Sequence, residues 1–201
     1  MSTQNRAEAV IDLNAIEANI KLLMATSGKP ALAVVKADAY GHGLVPVAKR
    51  ALKAGATWLG VALLEEAITL RQSEISAPIL AWLTPITDDF SSALENEIDI
   101  AIPSLAHLAA VLQAAETTKR IPRIHLEVDT GMSRGGALLE WDELVRAASA
   151  VEKKGSLKVI GIWSHFARAD ETGHEFNVQQ RETFERAVAS ARSLGINPEV
   201  V

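Results

Sequence analysis

Ala31-Leu32-Ala33-Val34-Val35-Lys36-Ala37-Asp38-Ala39-Tyr40-Gly41-His42-Gly43 is the stretch around which the rest of the chain is arranged. Five apolar residues lead into a lysine, and a turn-forming segment rich in Gly, Asp and His follows. The apolar run is short and bounded by Gly28-Lys29-Pro30 and Gly41, so it reads as a fully buried strand. Lys36 then stands at the strand's carboxyl end, beside a loop able to shape a site. Burying an ammonium is costly unless it is paired, neutral or covalently used. In isolation such a lysine more often reaches out of the strand end to meet a neighbour such as Asp38.

The flanking sequence supplies the context. Upstream, Ala7–Leu13 reads as a short strand. Asn14 with Glu17 resembles a capping box opening a helix whose Ile16, Ile20, Leu23 and Met24 share a face. Downstream, strands and helices alternate. Leu44–Ala54 is a helix with Pro46 in its first turn, Trp58–Ala62 a strand, and Leu64–Gln72 a helix. Pro78–Trp82, Asp99–Ile102, Arg123–Asp129 and Leu157–His165 continue the strands. Helices follow them over Asp89–Glu95, from Ser104 to about Ala115, over Leu139–Lys153 and over Glu175–Leu194. Pro198–Val201 begins one strand more.

This rhythm is that of βα units around a parallel sheet. Six such units and the start of a seventh predict a (β/α)8 TIM-type barrel, for which about 250 residues are typical. A doubly wound open sheet is the runner-up, but the Gly-rich dinucleotide fingerprint is missing after the first strand. Six strands of eight would leave two open edges, so the chain is expected to be part of a longer one.

Composition excludes several classes. With 48% apolar and 22% charged residues, the 201-residue chain has the balance of an ordinary globular domain. A net charge of -5 without a basic run gives no support to a nucleic-acid partner. Cysteine is absent, which excludes disulfides and thiolate metal sites. No apolar signal core follows Met1, and no apolar run reaches the roughly 20 residues that span a bilayer. A soluble, cytoplasmic protein without a membrane partner is expected.

The fifth strand separates its faces. Pro122, Ile124, Leu126 and Val128 fall on one side; Arg123, His125, Glu127 and Asp129 fall on the other, which a barrel would turn inward. A Gly-rich loop, Thr130-Gly131-Met132-Ser133-Arg134-Gly135-Gly136, follows with one arginine suited to a carboxylate or phosphate. His165 ends the sixth strand. Lys36, Arg134 and His165 thus follow the carboxyl ends of three different strands, the rim on which barrel enzymes build their sites. A metal-dependent hydrolase could draw on Asp38, His42, Asp129, His165 and Asp170, yet no H-x-H or H-x-x-x-H pair is present. Imine chemistry is the other option: an amine in an apolar setting loses its proton more readily, and only the neutral amine attacks an aldehyde.

The segment from Ala33 to Gly43 resembles the pyridoxal-phosphate attachment segment of bacterial alanine racemases. The likeness extends through Val10-Ile11-Asp12-Leu13-Asn14-Ala15-Ile16, His125–Arg134 and Gly161-Ile162-Trp163-Ser164-His165-Phe166-Ala167, and so over nearly the whole chain. It implies a fold-type-III enzyme in which residues 1–201 form an incomplete N-terminal barrel domain and a C-terminal β domain lies outside them. It further implies pyridoxal 5'-phosphate as cofactor, alanine as substrate and a homodimer that supplies D-alanine for peptidoglycan.

By the same resemblance Lys36 is the Schiff-base lysine and one of two acid/base groups. Tyr40 matches the residue that hydrogen-bonds the cofactor phosphate, and His165 the one packed on the pyridine ring. Arg134 matches the arginine that orients the phenolic oxygen and helps place the substrate carboxylate. Glu127 occupies a position where many members carry a carbamylated lysine, so a direct Glu127–Arg134 pair is expected to support the arginine without that modification. Asp38 stands where Asn is common. The second base of the family is a tyrosine from the partner's C-terminal domain. Tyr40 is the one tyrosine of this sequence and is already matched to another role, so residues 1–201 alone are expected to racemise poorly or not at all. Alternatives are a non-catalytic pyridoxal-phosphate-binding barrel of cofactor homeostasis and a broad-specificity amino-acid racemase.

Overall fold

Short apolar strands joined by helices can satisfy their backbones only by pairing in parallel, each helix returning the chain to the starting edge. A computed structural model describes residues 7–201 and has this architecture. Strands β1 (Leu32–Val34), β2 (Trp58–Val61), β3 (Ile79–Ala81), β4 (Asp99–Ile102), β5 (Arg123–Glu127) and β6 (Lys158–Trp163) follow one another in a six-stranded sheet in chain order. α1 (Leu13–Ser27) precedes β1, and between the strands run α2 (Lys36–Gly41), α3 (Leu44–Ala54), α4 (Leu64–Gln72), α5 (Phe90–Glu95), α6 (Leu105–Thr118) and α7 (Trp141–Glu152), with α8 (Glu175–Ser193) after β6. The chain divides into two compact units, one running to Val61 and including Glu65–Ile79, the other comprising Ala62–Leu64 and Leu80–Val201.

In the first unit β1 and β2 pair in parallel, Leu32 opposite Trp58 and Val34 opposite Gly60. Its core is built from Leu59, Val61, Ala48, Ala51, Ala67, Leu70 and Ile79. Three expectations need correction here. Ala7–Leu13 is not a strand: residues 7–12 are exposed and without regular structure, and α1 begins at Leu13. Apolar alternation makes a strand only where a neighbouring backbone offers a ladder. Nor does Asn14 cap α1. Asp12 does, its Oδ1 accepting from the backbone N–H of Asn14 at 2.8 Å and Ala15 at 3.2 Å, while Glu17 pairs with Lys21 and Arg50. Ile16, Ile20 and Met24 are partly covered, but Leu23 is 67% exposed. Finally, β1 is not fully buried: Val34 is 53% exposed, because β1 ends the strand order and has β2 on one side.

The backbone after β1 is unusual. Val35 is buried, and Ala37, Asp38, Ala39 and Tyr40 all take left-handed conformations with φ of 52, 54, 51 and 54°. Each such L-residue costs roughly 1–2 kcal/mol, since Cβ crowds the following carbonyl. Hydrogen bonds oppose the cost from both ends. Ala39 N–H donates to Val35 O at 2.9 Å and Gly43 N–H to Asp38 O at 2.9 Å. Glu66 of α4 accepts from Ala37 N–H at 2.5 Å, and Asp38 Oδ1 accepts from Leu44 N–H, the first residue of α3, at 2.6 Å.

The second unit carries β4–β6, with Ile100 opposite Ile124 and Glu127 opposite Trp163. Every residue of β4 is buried, as parallel strands covered on both faces require. On β5 the two faces differ in chemistry but not in burial: Ile124, His125, Leu126 and Glu127 are all buried. Asp99, 1% exposed at the start of β4, is held by Arg123 Nε at 2.7 Å and Nη2 at 3.1 Å and by His125 Nε2 at 3.3 Å. The bond to Asp99 in turn raises the Arg123 pKa. Val200 bridges to Gly161 of β6 in parallel, the start of the further strand read from the sequence. Asp89 and Ser104 cap α5 and α6 through Ser92 N–H and His107 N–H.

Asp38 supplies both a tolerated left-handed residue and the acceptor for Leu44. Asp38→Ala is expected to destabilise the protein by about 1–2 kcal/mol in urea denaturation, and Asp38→Asn, which keeps both properties, by less than about 0.5 kcal/mol.

Candidate functional site

Lys36 and Tyr40 belong to the first unit; Glu127, Arg134 and His165 belong to the second. Lys36 lies two residues beyond the end of β1, at the entry to the left-handed turn. It is partly exposed, and its Nζ makes no hydrogen bond or ion pair among the described residues. The ammonium does not reach Asp38, whose carboxylate is engaged by Leu44 N–H. Instead Nζ lies 5.9 Å from the centroid of the Tyr40 ring, a cation–π approach worth about 0.5–1 kcal/mol at an exposed site. The turn produces this neighbourhood. Four left-handed residues bring the phenol of Tyr40, itself 73% exposed, back beside the amine.

In the second unit the Gly-rich loop is tied at its base. Ala137 N–H donates to Glu127 O at 2.8 Å and Asp129 N–H to Ala137 O at 3.0 Å. Asp129 Oδ1 accepts from Gly131 N–H at 2.9 Å and from Ser133 N–H at 3.1 Å, curling the loop that carries Arg134. The loop folds back over Glu127: a Cβ added at Gly135 would stand 3.1 Å from Glu127 Oε1. Glu127 and Arg134 attract each other, but they form no contact-distance ion pair among the described residues. The expected direct pair is thus a longer-range attraction.

Burial dominates the state of Glu127, which is 9% exposed. Desolvation pushes its carboxyl up to about 7; Arg134 pulls it down and Asp129 pushes it further up.

His165 lies two residues past β6. Its carbonyl oxygen accepts from Gln180 Nε2 at 3.1 Å, and Gln180 Oε1 accepts from Ala167 N–H at 2.9 Å. Two features here escape sequence reading. Gln180 is a buried polar residue on the covered side of α8, four residues after Phe176 and seven before Ala187; that spacing was the available signal. Trp163, at the end of β6, has a buried indole N–H without an acceptor among the described residues and packs against Trp82 at 6.0 Å between ring centroids. Nothing local marks it.

The metal reading finds no support in the geometry. No group of three or more His, Asp or Glu side chains among the described residues could hold an ion. Asp38 and Asp129 spend their carboxylates on backbone N–H groups, and His42 Nδ1 lies 2.9 Å from Ala39 O. Each unit, taken by itself, holds groups that an aromatic aldehyde bearing a phosphate would call on. Within the first unit there is an amine without an acid partner; within the second, a guanidinium on a Gly-rich loop and an indole donor lacking an acceptor.

Parallel strands in chain order, alternating with helices, place the chain in the (β/α)8 class, with polar groups following the carboxyl ends of the strands. The family model for the alanine racemase N-terminal domain matches residues 11–201, and the chain belongs to the alanine racemase family. It is 41% identical over 194 residues to the alanine racemase of Salinispora tropica, covering 96% of this chain and 52% of that protein. The structure is similar to the alanine racemase of D-cycloserine-producing Streptomyces lavendulae, with a TM-score of 0.91 and 42% identity over 95% of this chain and 51% of the other. It is also similar to the histidine racemase of Leuconostoc mesenteroides subsp. sake, with a TM-score of 0.81 and 30% identity over 93% and 50%. The chain spans about half the length of the relatives it matches.

The raised Glu127 pKa has a definite sign. Between about 4.5 and 7 the folded protein holds a proton that the unfolded chain releases, so stability is greatest below 4.5 as far as this group is concerned. It falls as pH rises through 7, by up to about 3 kcal/mol, and is level above. Urea denaturation at pH 5, 6, 7 and 8 should show this decline, and Glu127→Gln should flatten it.

Proposed function

We propose that the protein to which these residues belong is a pyridoxal 5'-phosphate-dependent racemase that interconverts L-alanine and D-alanine. Residues 1–201 are its N-terminal cofactor-binding barrel domain. The observation that carries this reading is the Lys36 amine, which has no acid partner among the described residues and is presented by a strained left-handed turn inside a family-typical segment. Strain of this kind persists where function requires a fixed geometry.

When bound, the cofactor supplies a carbonyl carbon for the amine and a conjugated ring that delocalises the electron pair left at Cα. Lys36 is the attachment point and then takes or returns a proton at Cα on one face of the substrate. The Tyr40 hydroxyl would hold the phosphate, and the His165 imidazole would pack on the ring. Arg134 fixes the phenolic oxygen and receives the substrate carboxylate. Glu127, behind the Arg134 loop and ionised as pH rises through about 7, attracts that guanidinium without any carbamylated lysine. The opposite face of Cα needs a second base. Tyr40, the one tyrosine of this sequence, is committed elsewhere, so the second base is contributed from outside residues 1–201, as in a homodimer whose sites are shared.

The assigned role is cytoplasmic supply of D-alanine for peptidoglycan. No described helix is long and apolar enough to cross a membrane. A second reading, a racemase acting on other or several amino acids, is favoured by the similarity to a histidine racemase.

Incubation of the whole protein with each enantiomer of alanine, followed by optical rotation, tests the reaction. Rotation should decay to the same racemic end point from both sides, and a comparable rate on histidine would favour the second reading. Borohydride treatment of the pyridoxal-loaded protein should fix a phosphopyridoxyl group on Lys36, located by peptide mass spectrometry. Lys36→Ala should lose roughly 10²–10⁴-fold in turnover. Glu127→Gln should lose about tenfold in kcat/KM, or 1.4 kcal/mol of transition-state stabilisation. Full activity of either variant contradicts its assigned role.

A further inference from the structure

Gln180 is 1% exposed, and each of its polar atoms is engaged. From α8 it reaches two loops that are far apart in sequence. Its Nε2 donates to Thr130 Oγ1 at 3.0 Å, at the head of the Gly-rich loop, and to His165 O at 3.1 Å. Its Oε1 accepts from Ala167 N–H at 2.9 Å, so the amide grips the backbone on both sides of Phe166. Thr130 Oγ1 lies 2.8 Å from Ser164 Oγ, which closes the link between the two loops. The Gly-rich loop also packs directly on α8. A Cβ at Gly131, where φ is +132°, would stand 3.0 Å from Phe176 Cζ and 3.9 Å from Gln180 Cγ. Glycine is needed there both for its backbone angle and for this approach.

A buried amide with all its bonds made is rigid, whereas a half-made network is costly, at about 1–3 kcal/mol for each orphaned group. Apolar packing alone would hold α8 against the sheet; it would not specify where the carbonyl of residue 165 or the hydroxyl of residue 130 must lie. Asp129, next to Thr130, fixes the curl that carries Arg134. The chain of contacts therefore runs from Gln180 to the backbone of both His165 and the Arg134 loop.

We propose that Gln180 is a positioning residue that makes the Arg134 loop and the His165 loop a single body, so that neither moves without the other. Its relevance to catalysis rests on the function proposed above; the mechanical link does not. Gln180 touches no reacting atom and acts through the two loops. Loss of the amide frees both loops together and weakens retention of the cofactor rather than the proton transfer at Lys36.

The test compares Gln180→Met, which keeps the length but removes all three bonds, with Gln180→Glu, which keeps an acceptor for Ala167 and loses the donors. In the whole protein without added cofactor, amide hydrogen exchange followed by mass spectrometry should speed up about tenfold in Gln180→Met over both 129–136 and 164–168. Peptides covering β4 and α6 should be unchanged. Gln180→Glu should loosen 129–136 while Ala167 stays protected. Thr130→Val, which leaves α8 intact, should loosen 164–168 through the lost Thr130–Ser164 contact. It serves as the second arm if Gln180→Met fails to fold. The dissociation constant for pyridoxal 5'-phosphate, read by absorbance titration, should rise about tenfold in Gln180→Met, with the same factor in KM for alanine and less than a threefold change in kcat.

In Gln180→Met, faster exchange in one loop only, or a uniform increase over all peptides, would overturn the link. Unchanged cofactor affinity with both loops loosened would overturn the positioning role. Failure of the unmodified protein to bind pyridoxal 5'-phosphate would instead sink the proposed function and leave the exchange result standing.

Discussion

Four consecutive left-handed residues are the constraint on which the lysine-bearing part of the molecule depends. At about 1–2 kcal/mol each, Ala37–Tyr40 hold a strain comparable to the net stability of a small domain. No glycine relieves it at those positions. The surrounding backbone opposes it with bonds from Val35, Asp38 and Gly43 and with the Glu66 carboxylate on Ala37. Residues four apart share one face of a helical turn of either hand, so the spacing of Lys36 and Tyr40 makes them neighbours. Here amine and phenol stand 5.9 Å apart, measured to the ring centroid.

The second unit solves a related problem by different means. Its loops carry the polar side chains, and loops are held only as well as their backbone hydrogen bonds allow. Asp129, Glu127 and Gln180 are each buried and each meets the loop system: Asp129 through N–H groups, Glu127 through its backbone carbonyl, Gln180 through its amide. A low dielectric strengthens every such bond and makes every lapse costly. Glu127 bears the cost visibly, its carboxyl lifted to about 7 because Arg134 stands too far off to offset its burial fully.

How much of this was legible in the sequence varied with how local the cause was. Leu44–Ala54 and Leu64–Gln72 were readable to the residue, because turn chemistry and apolar spacing agree there. Asp89 and Ser104 were readable as the starts of their helices for the same reason. Ala7–Leu13 was misread, since its alternation is that of a strand and no local pattern reveals that a partner backbone is missing. The burial of β1 was overstated, because an edge strand and an interior strand carry the same apolar run. That Lys36, Arg134 and His165 follow the ends of three different strands was legible, and the structure has them after β1, β5 and β6, whereas Tyr40 was singled out by the resemblance alone. The handedness of the turn that presents Lys36 was not legible, for Ala-Asp-Ala-Tyr has no residue that demands it. Gln180 was hidden for a different reason: its partners lie 50 and 15 residues away, and only the packed structure brings them to it.

On β6, Gly161 sits in register with His125 of β5, and any Cβ there would run into the imidazole and into Val200. Backbone geometry does not demand glycine at this place; a neighbour's ring does. A larger residue at 161 is accepted only if both the imidazole and the Val200 side chain give way. Shortening residue 125 opens one side of that space and deprives Asp99 of one of its partners. What may stand at 161 is thus written into the spacing of two adjacent strands.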